Sequence, residues 1–230
     1  TSECVCSQPA KSPEKGTYCP DYRSPNPRRV LLTTSPAPDQ APFSTKEKRP
    51  PLGVGSLISV LRNAGHQVAF IDNYLQPSDF LDTDYLTQNQ IEFVGIYANT
   101  ICYRGTLHLI HKLEQLRQTG RWNGKIILGG PHTTVAADSI PEFVDHVVQG
   151  EGEQALLDIV DGRGTDRVIR YPRIENLDDL PMPPWEEFFA RPYDWSMQFL
   201  SETPVVTMNT SRGCPFRCRF CSVCSIWQKQ

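Results

Sequence analysis

The sequence has no long apolar run, no block of basic residues and almost no cysteine through its middle, and each absence removes a class of protein. A membrane-crossing helix needs roughly 20 consecutive apolar residues, and no apolar run in these 230 residues approaches that length. Sequence-independent nucleic-acid binding rests on many Lys and Arg contacts to phosphate. Here 23 basic residues are outnumbered by 26 acidic ones, for a net charge of -3, and no dense basic cluster exists. Small molecules are therefore the expected partners, with neither nucleic acid nor a membrane among them. No charged start followed by an apolar stretch and a small-residue cleavage site stands at the amino end, which begins at Thr1. A cytoplasmic location is expected on that ground.

The eight cysteines are unevenly placed: Cys4, Cys6 and Cys19 lie near one end, Cys102 stands alone, and four fall within residues 214–224. A disulfide framework spreads its cysteines through a loop-rich chain, whereas crowding of this kind points to metal. Cys4, Cys6 and Cys19 read as surface thiols in a flexible leader over residues 1–28, where Ser, Pro, Lys and Glu follow no hydrophobic period.

From Arg29 onward short apolar runs alternate with amphipathic stretches. Strands are predicted at Val30–Thr34, Gln67–Asp72, Phe93–Ala98, Lys125–Leu128 and His146–Gln149. Helices are predicted at about Leu52–Ala64, Phe80–Gln88, Gly105–Gln118, Val135–Ile140 and Glu153–Asp161. Continuous apolar strands separated by helices are what a parallel sheet covered on both faces requires. The helix ending at Gln118 places Leu109, Leu113 and Leu116 on one stripe, and Gly65 and Gly120 follow two helices where a left-handed residue ends them. The predicted fold class is α/β, a doubly wound five-stranded parallel sheet of the Rossmann or flavodoxin type over residues 29–164. Residues 165–203, rich in Pro and acids, read as a linker, and Pro204–Asn209 as the first strand of a second domain spanning 204–230.

Directly after that strand stands Cys214-Pro-Phe-Arg-Cys218-Arg-Phe-Cys221. Three thiolates on one tight loop are enough to hold three irons of a cubane cluster and leave the fourth iron open. Cys218, Cys221 and Cys224 also match the close spacing of ferredoxins, in which four cysteines saturate a cluster and leave only electron transfer. A tetrahedral zinc site is a third possibility, although four ligands in eleven residues without a second knuckle is poor zinc geometry.

In open α/β sheets ligands bind outside the carboxyl ends of the strands, and the loops there are distinctive. The first helix opens with Pro51-Leu52-Gly53, the third strand ends in Asn99-Thr100, the fourth in Gly129-Gly130-Pro131-His132-Thr133, and the fifth in Gly150-Glu151-Gly152-Glu153. Glycines at such places let backbone approach a large ligand closely. A Gly-Gly pair is also a common turn, and Gly-x-Gly can equally cradle a phosphate.

The cysteine spacing, Phe220 before the last cysteine and the preceding Asn209-Thr-Ser-Arg-Gly213 together resemble the radical S-adenosylmethionine enzymes. The loops from Pro51 to Glu153 look like the cobalamin-binding domain that precedes the barrel in the cobalamin-dependent members of that family. The resemblance runs from Arg29 to Gln228. It implies Cys214, Cys218 and Cys221 as ligands of a 4Fe-4S cluster, with Cys224 outside the set, and Phe220 beside S-adenosylmethionine. Pro51, Leu52, Gly53, Asn99, Thr100, Gly129, Gly130, Pro131, His132, Thr133, Gly150, Glu151 and Gly152 are then candidate cobalamin contacts. The loop Thr33–Ser44 has no histidine, so the resemblance implies a lower cobalt face without imidazole from that loop, and His132 reads as a loop residue bonding backbone or a propionamide. His108 and His111 read as surface residues. The implied activity is a radical methyltransferase acting at an unactivated carbon, with a small-molecule or peptide substrate and a flavodoxin or ferredoxin as electron donor. A cobalamin-binding or iron–sulfur electron-transfer module without radical catalysis is the alternative.

Overall fold

The computed structural model describes residues 15–37, 48–197, 199–216 and 218–227. Cys4 and Cys6, and Pro38 to Ser44 of the loop after the first strand, lie outside these residues. The strands are β1 (Arg29–Thr34), β2 (Gln67–Ile71), β3 (Phe93–Tyr97), β4 (Lys125–Gly129), β5 (His146–Gln149) and β6 (Val168–Arg170). The helices are α1 (Leu52–Asn63), α2 (Tyr85–Gln88), α3 (Tyr103–Gln118), α4 (Pro131–Val135), α5 (Glu153–Val160), α6 (Trp185–Phe189) and α7 (Val223–Trp227). All strand pairs are parallel, in the order β2-β1-β3-β4-β5-β6. The chain therefore turns one way from β1 to β2 and the other way to β3, which creates a switch point between β1 and β3.

Alternate residues of one strand feed opposite cores. Val30 and Leu32 of β1 join Ile58 and Leu61 of α1 and Leu157 of α5 on one face. Leu31 joins Val94, Ile126, and Ile110 and Leu113 of α3 on the other. Both faces being covered, Val30, Leu31 and Leu32 are all buried, the continuous apolar pattern that marked the strand in the sequence. Gly95 sits opposite Leu32 across the ladder, and a Cβ there would come within 2.6 Å of the leucine's Cδ2. The missing side chain makes room for the bulky neighbour.

The sheet has six strands rather than five. Val168-Ile-Arg170, in the stretch read as a linker, pairs with Val147–Gln149, and Ile169 closes the edge of the core. Three residues with one buried side chain carry no periodic signal, so this strand is defined by its neighbour. The rest of the stretch 165–203 also packs on the sheet. Phe188 of α6 is wholly buried against α1, where a Cβ on Gly55 would meet its ring at 2.9 Å. Tyr193 donates its hydroxyl to Asp72 at 2.6 Å, and Arg62 pairs with Glu187 at 2.8 Å.

Other expectations shift as well. Residues 15–28, read as part of a flexible leader, dock against α1 and α5: Tyr22 is 3% exposed, with Arg163 over its ring at 4.6 Å, and Ser24 donates to Asp161 at 2.6 Å. The helix expected over 135–140 begins earlier, because Gly130 turns the chain at φ 113° and Pro131 starts α4; only a 3-10 turn follows at Ala137–Ser139. Of the helix expected over 80–88 only α2 forms, since Phe80 and Leu81 are taken into the core ahead of it. Pro204–Asn209 forms no strand. Val205 donates one backbone bond to the Trp195 carbonyl at 2.7 Å, and Val206 and Met208 are exposed. No described strand lies beside it to complete a ladder. No helix among the described residues is long and apolar enough to cross a membrane.

Candidate functional site

A cavity of about 290 Å³ lies at the carboxyl end of the sheet, beside the switch point. Leu32, Ile96, Ile127 and Val148 from four strands form its floor, and Val54 and Leu57 of α1 with Leu156 of α5 cover its side. The walls are apolar because these positions belong to core-facing elements; polarity enters only at the rim. A larger open depression of about 750 Å³ lies at the opposite end, around the beginnings of β3, β4 and β5. Parallel sheets place their chemistry at the carboxyl ends, so the smaller, better-enclosed cavity is the candidate site.

Its rim is made by the glycine loops. Gly129, Gly130 and Pro131 line one side, Gly150, Glu151 and Gly152 a second, and Gly53 the entrance of α1. Two threonines fasten these loops together. Thr134 donates to the Gly130 carbonyl at 3.0 Å and accepts the Gly150 N–H at 3.0 Å, while Thr133 donates to the Val148 carbonyl at 2.8 Å. Gly150 has φ 77°, and a Cβ built there or on Gly53 meets nothing within 4 Å. Both glycines thus border open space that a side chain would fill. Gly130 differs: a Cβ on it would strike the Ala98 carbonyl oxygen at 2.6 Å. Glycine is needed there for the turn.

The structure separates the remaining candidates from the cavity wall. Pro51 precedes α1 and Leu52 opens it without lining the cavity. Asn99 accepts the Cys102 N–H at 2.8 Å, which caps the start of α3. His132 turns away from the cavity: its ring stacks on Tyr103 at 3.7 Å, Nδ1 lies 3.2 Å from the Thr100 hydroxyl and Nε2 3.2 Å from that of Ser139. Burial holds its pKa below the ordinary histidine value. The other histidines are placed away from the site. His66 and His146 bond near the amino end of the sheet, to Arg28 N–H and the Asp166 carbonyl, and His108 and His111 are exposed on α3.

Sequence inspection missed the fourth wall. Asn209, Arg212, Ile226 and Trp227, from the segments flanking the cysteine loop, close the cavity from above. Arg212 donates to Glu153 Oε1 at 2.6 Å and sits 3.5 Å from Glu151 Oε1; its guanidinium lies 5.6 Å from the Trp227 ring centre. Ser56 of α1 donates to the same Glu153 oxygen at 2.8 Å, and Glu151 Oε2 accepts the Ile174 N–H at 2.7 Å. Burial opposes the charge on Arg212, but the carboxylates of Glu153 and then Glu151 outweigh it and raise its pKa further. The two glutamates of Gly-Glu-Gly-Glu thus hold an arginine some sixty residues away.

The residues present fit the nucleotide tail of a cobalamin, which needs an apolar slot between sheet and helices with an open glycine-lined mouth; the whole corrin is too large for about 290 Å³ and would lie outside the strand ends. Among the described residues no group of three or more Cys, His, Asp or Glu is gathered as metal ligands. A turn closed by Cys221 N–H to the Cys218 carbonyl at 3.0 Å carries two of the three expected thiols, and Cys214 precedes it. Arg217, between them, is outside the described residues. Cys218 is exposed, Cys224 donates to the Phe216 carbonyl at 3.2 Å, and Phe220 is 93% exposed.

Comparison with known proteins agrees with the cavity. An uncharacterized methyltransferase of Pyrococcus horikoshii is 26% identical over 216 residues, covering 84% of this chain and 45% of the relative. An anaerobic magnesium-protoporphyrin IX monomethyl ester cyclase of Synechocystis is 26% identical over 225 residues, covering 87% of this chain and 43% of its own. The chain spans under half the length of these relatives. Among solved structures, the cobalamin-dependent S-adenosylmethionine radical enzyme OxsB, with aqua-cobalamin and S-adenosylmethionine bound, superposes with a TM-score of 0.67 at 16% identity, over 88% of this chain and 29% of that one. That likeness establishes the shared fold. The B12 binding domain family matches residues 44–160, over half of the sequence and strands β2 to β5 of the sheet, and the chain belongs to that family.

Proposed function

We propose that the chain is the cobalamin-binding part of a cobalamin-dependent radical S-adenosylmethionine enzyme, a methyltransferase acting at an unactivated carbon. The cavity at the strand carboxyl ends, with its apolar floor and glycine mouth, carries this proposal. Relatives named as methyltransferase and cyclase support it. When bound, cobalamin supplies a cobalt centre able to carry a methyl group. Leu32, Ile96, Ile127, Val148 and Leu156 would bury the tail away from water, and Gly53 and Gly150 would leave its path clear. Thr133 and Thr134 fix the loops whose backbone meets the ligand, so that little ordering remains to be done on binding. No histidine borders the cavity. Cys214, Cys218 and Cys221 are proposed as cluster ligands from their spacing. A small molecule or peptide as substrate and a flavodoxin or ferredoxin as electron donor belong to the same proposal.

One observation favours the alternative of a cobalamin-binding or iron–sulfur electron-transfer module without radical catalysis: the family match covers residues 44–160, and the cysteine loop lies outside it. The full-length protein, reconstituted anaerobically with iron, sulfide and cobalamin and assayed for S-adenosylmethionine cleavage, separates the two. Retention of one cobalamin with formation of 5′-deoxyadenosine is expected. Retention without cleavage selects the module, and failure to retain cobalamin rejects both.

A further inference from the structure

The contacts between the loop after β5 and the cysteine-bearing segment have a consequence beyond ligand binding. We propose that Arg212, gripped by Glu151 and Glu153, is a positioning residue that seats the cysteine-bearing segment as the fourth wall of the cavity. Arg212 lies two residues before Cys214, in a segment whose described residues, 204–216 and 218–222, form no helix or strand. Such a segment needs an anchor to adopt one position. Along it, Arg212 makes the short buried side-chain contact to the sheet domain, at 2.6 Å to Glu153, with the side chains about 10% and 4% exposed. The carboxylates are themselves pre-positioned. Glu153 begins α5 and is tied to α1 through Ser56, and Glu151 is tied to the chain after β6 through Ile174 N–H.

The geometry links both flanks of the cysteine loop to this one point. Asn209 and Arg212 lie before the loop and Ile226 and Trp227 after it, and all four border the cavity. Trp227 rests beside the Arg212 guanidinium, so the anchor touches α7, which also packs on α4, as well as the chain entering the loop. A buried ion pair of this kind specifies position more than it stabilises, because desolvation offsets much of the attraction. Loss of either partner leaves an uncompensated buried charge, which the segment can relieve by swinging into water. The wall of the cavity then opens.

The inference rests on the cobalamin assignment only for its ligand arm, and two measurements on the full-length protein keep the parts distinct. Hydrogen exchange of the cofactor-free protein is compared for wild type, Arg212→Met, Arg212→Lys, Glu153→Gln and the Arg212→Met/Glu153→Gln double variant. Exchange at 223–227 is expected to rise about tenfold or more in Arg212→Met, with α3 unchanged, as local opening free of global unfolding. Arg212→Lys is expected to recover most of the protection, and the double variant to be no worse than Arg212→Met. In the second measurement aqua-cobalamin dissociation, followed by absorbance, is expected to quicken about tenfold in Arg212→Met, as loss of one wall would give. Unchanged exchange in Arg212→Met, or a rise shared evenly with α3, would overturn the positioning role. Wild-type protein that binds no cobalamin would instead defeat the assignment of the cavity, while the exchange result still decides the anchor.

Discussion

Gly53 and Gly130 are both glycines on the rim of one cavity, yet their reasons for lacking a side chain are opposite. Gly53 is in the first turn of α1 with ordinary backbone and open space beyond its Cα. Gly53→Leu therefore puts bulk into the mouth without straining the fold. Thermal stability is expected to hold or rise slightly, since leaving glycine in a helix gains up to about 1 kcal/mol, while cobalamin affinity falls at least tenfold by titration. Gly130 stands at φ 113° with the Ala98 carbonyl at 2.6 Å from a built Cβ. Gly130→Val is expected to lower the melting temperature as well as binding, because the backbone must move. His132→Ala removes a ring that faces Tyr103, Thr100 and Ser139, and is expected to cost some stability and little cobalamin affinity. A His132→Ala protein that folds but cannot bind would refute the placement of that ring off the cavity.

Among the elements, α6 shows how the stretch after the sheet is made part of it. Its Phe188 fills a notch that exists because residue 55 of α1 is glycine. Gly55→Ala places a methyl 2.9 Å from a ring with no free space around it, and overpacking of this kind costs about 1–3 kcal/mol. Chemical denaturation should report that loss, and protease should cut first between 180 and 200 if α6 is what detaches. The helix caps show why some of this was legible in the sequence and some was not. Gly65 and Gly120 end α1 and α3 in left-handed conformation, at φ 96° and 69°, as their positions after apolar periods implied. Gly130-Pro131 is just as local a signal and moves α4 upstream of its periodic pattern, so periodicity there was a poorer guide than the turn and start residues.

Across the whole molecule, a charged cluster joins the amino-terminal segment to the end of α5 and the start of β2. Burial works against ionisation of Asp161, but the His66 ring 3.4 Å away, the Ser24 hydroxyl donating at 2.6 Å and the neighbouring Tyr22 outweigh it and hold the carboxyl below the usual aspartate range. An aspartate depressed in the folded state contributes stability above its unfolded value, near 3.8, and loses it as pH falls through the lower folded value. Asp161→Asn is accordingly expected to flatten the acid limb of a stability-versus-pH curve below about pH 4. An acid limb of unchanged slope would assign that sensitivity to other groups.

The alternation of five strands with helices, the burial of strands on both faces and the glycine loops at their carboxyl ends were all decided by the sequence itself, because each depends on neighbours within a turn or two of chain. Tertiary structure alone decided the rest. Val168–Arg170 becomes a strand only because β5 offers it a free edge, and Tyr22 becomes a core residue only because Arg163 and α5 lie across from it. The apolar floor of the cavity reads in sequence as ordinary core, since a leucine facing a ligand and one facing another leucine are the same letter. Glu151 and Glu153 were visible as part of a loop motif, but their partner is distant in the chain, and no local pattern can express a contact that exists only once the sheet has brought both ends of the cavity together.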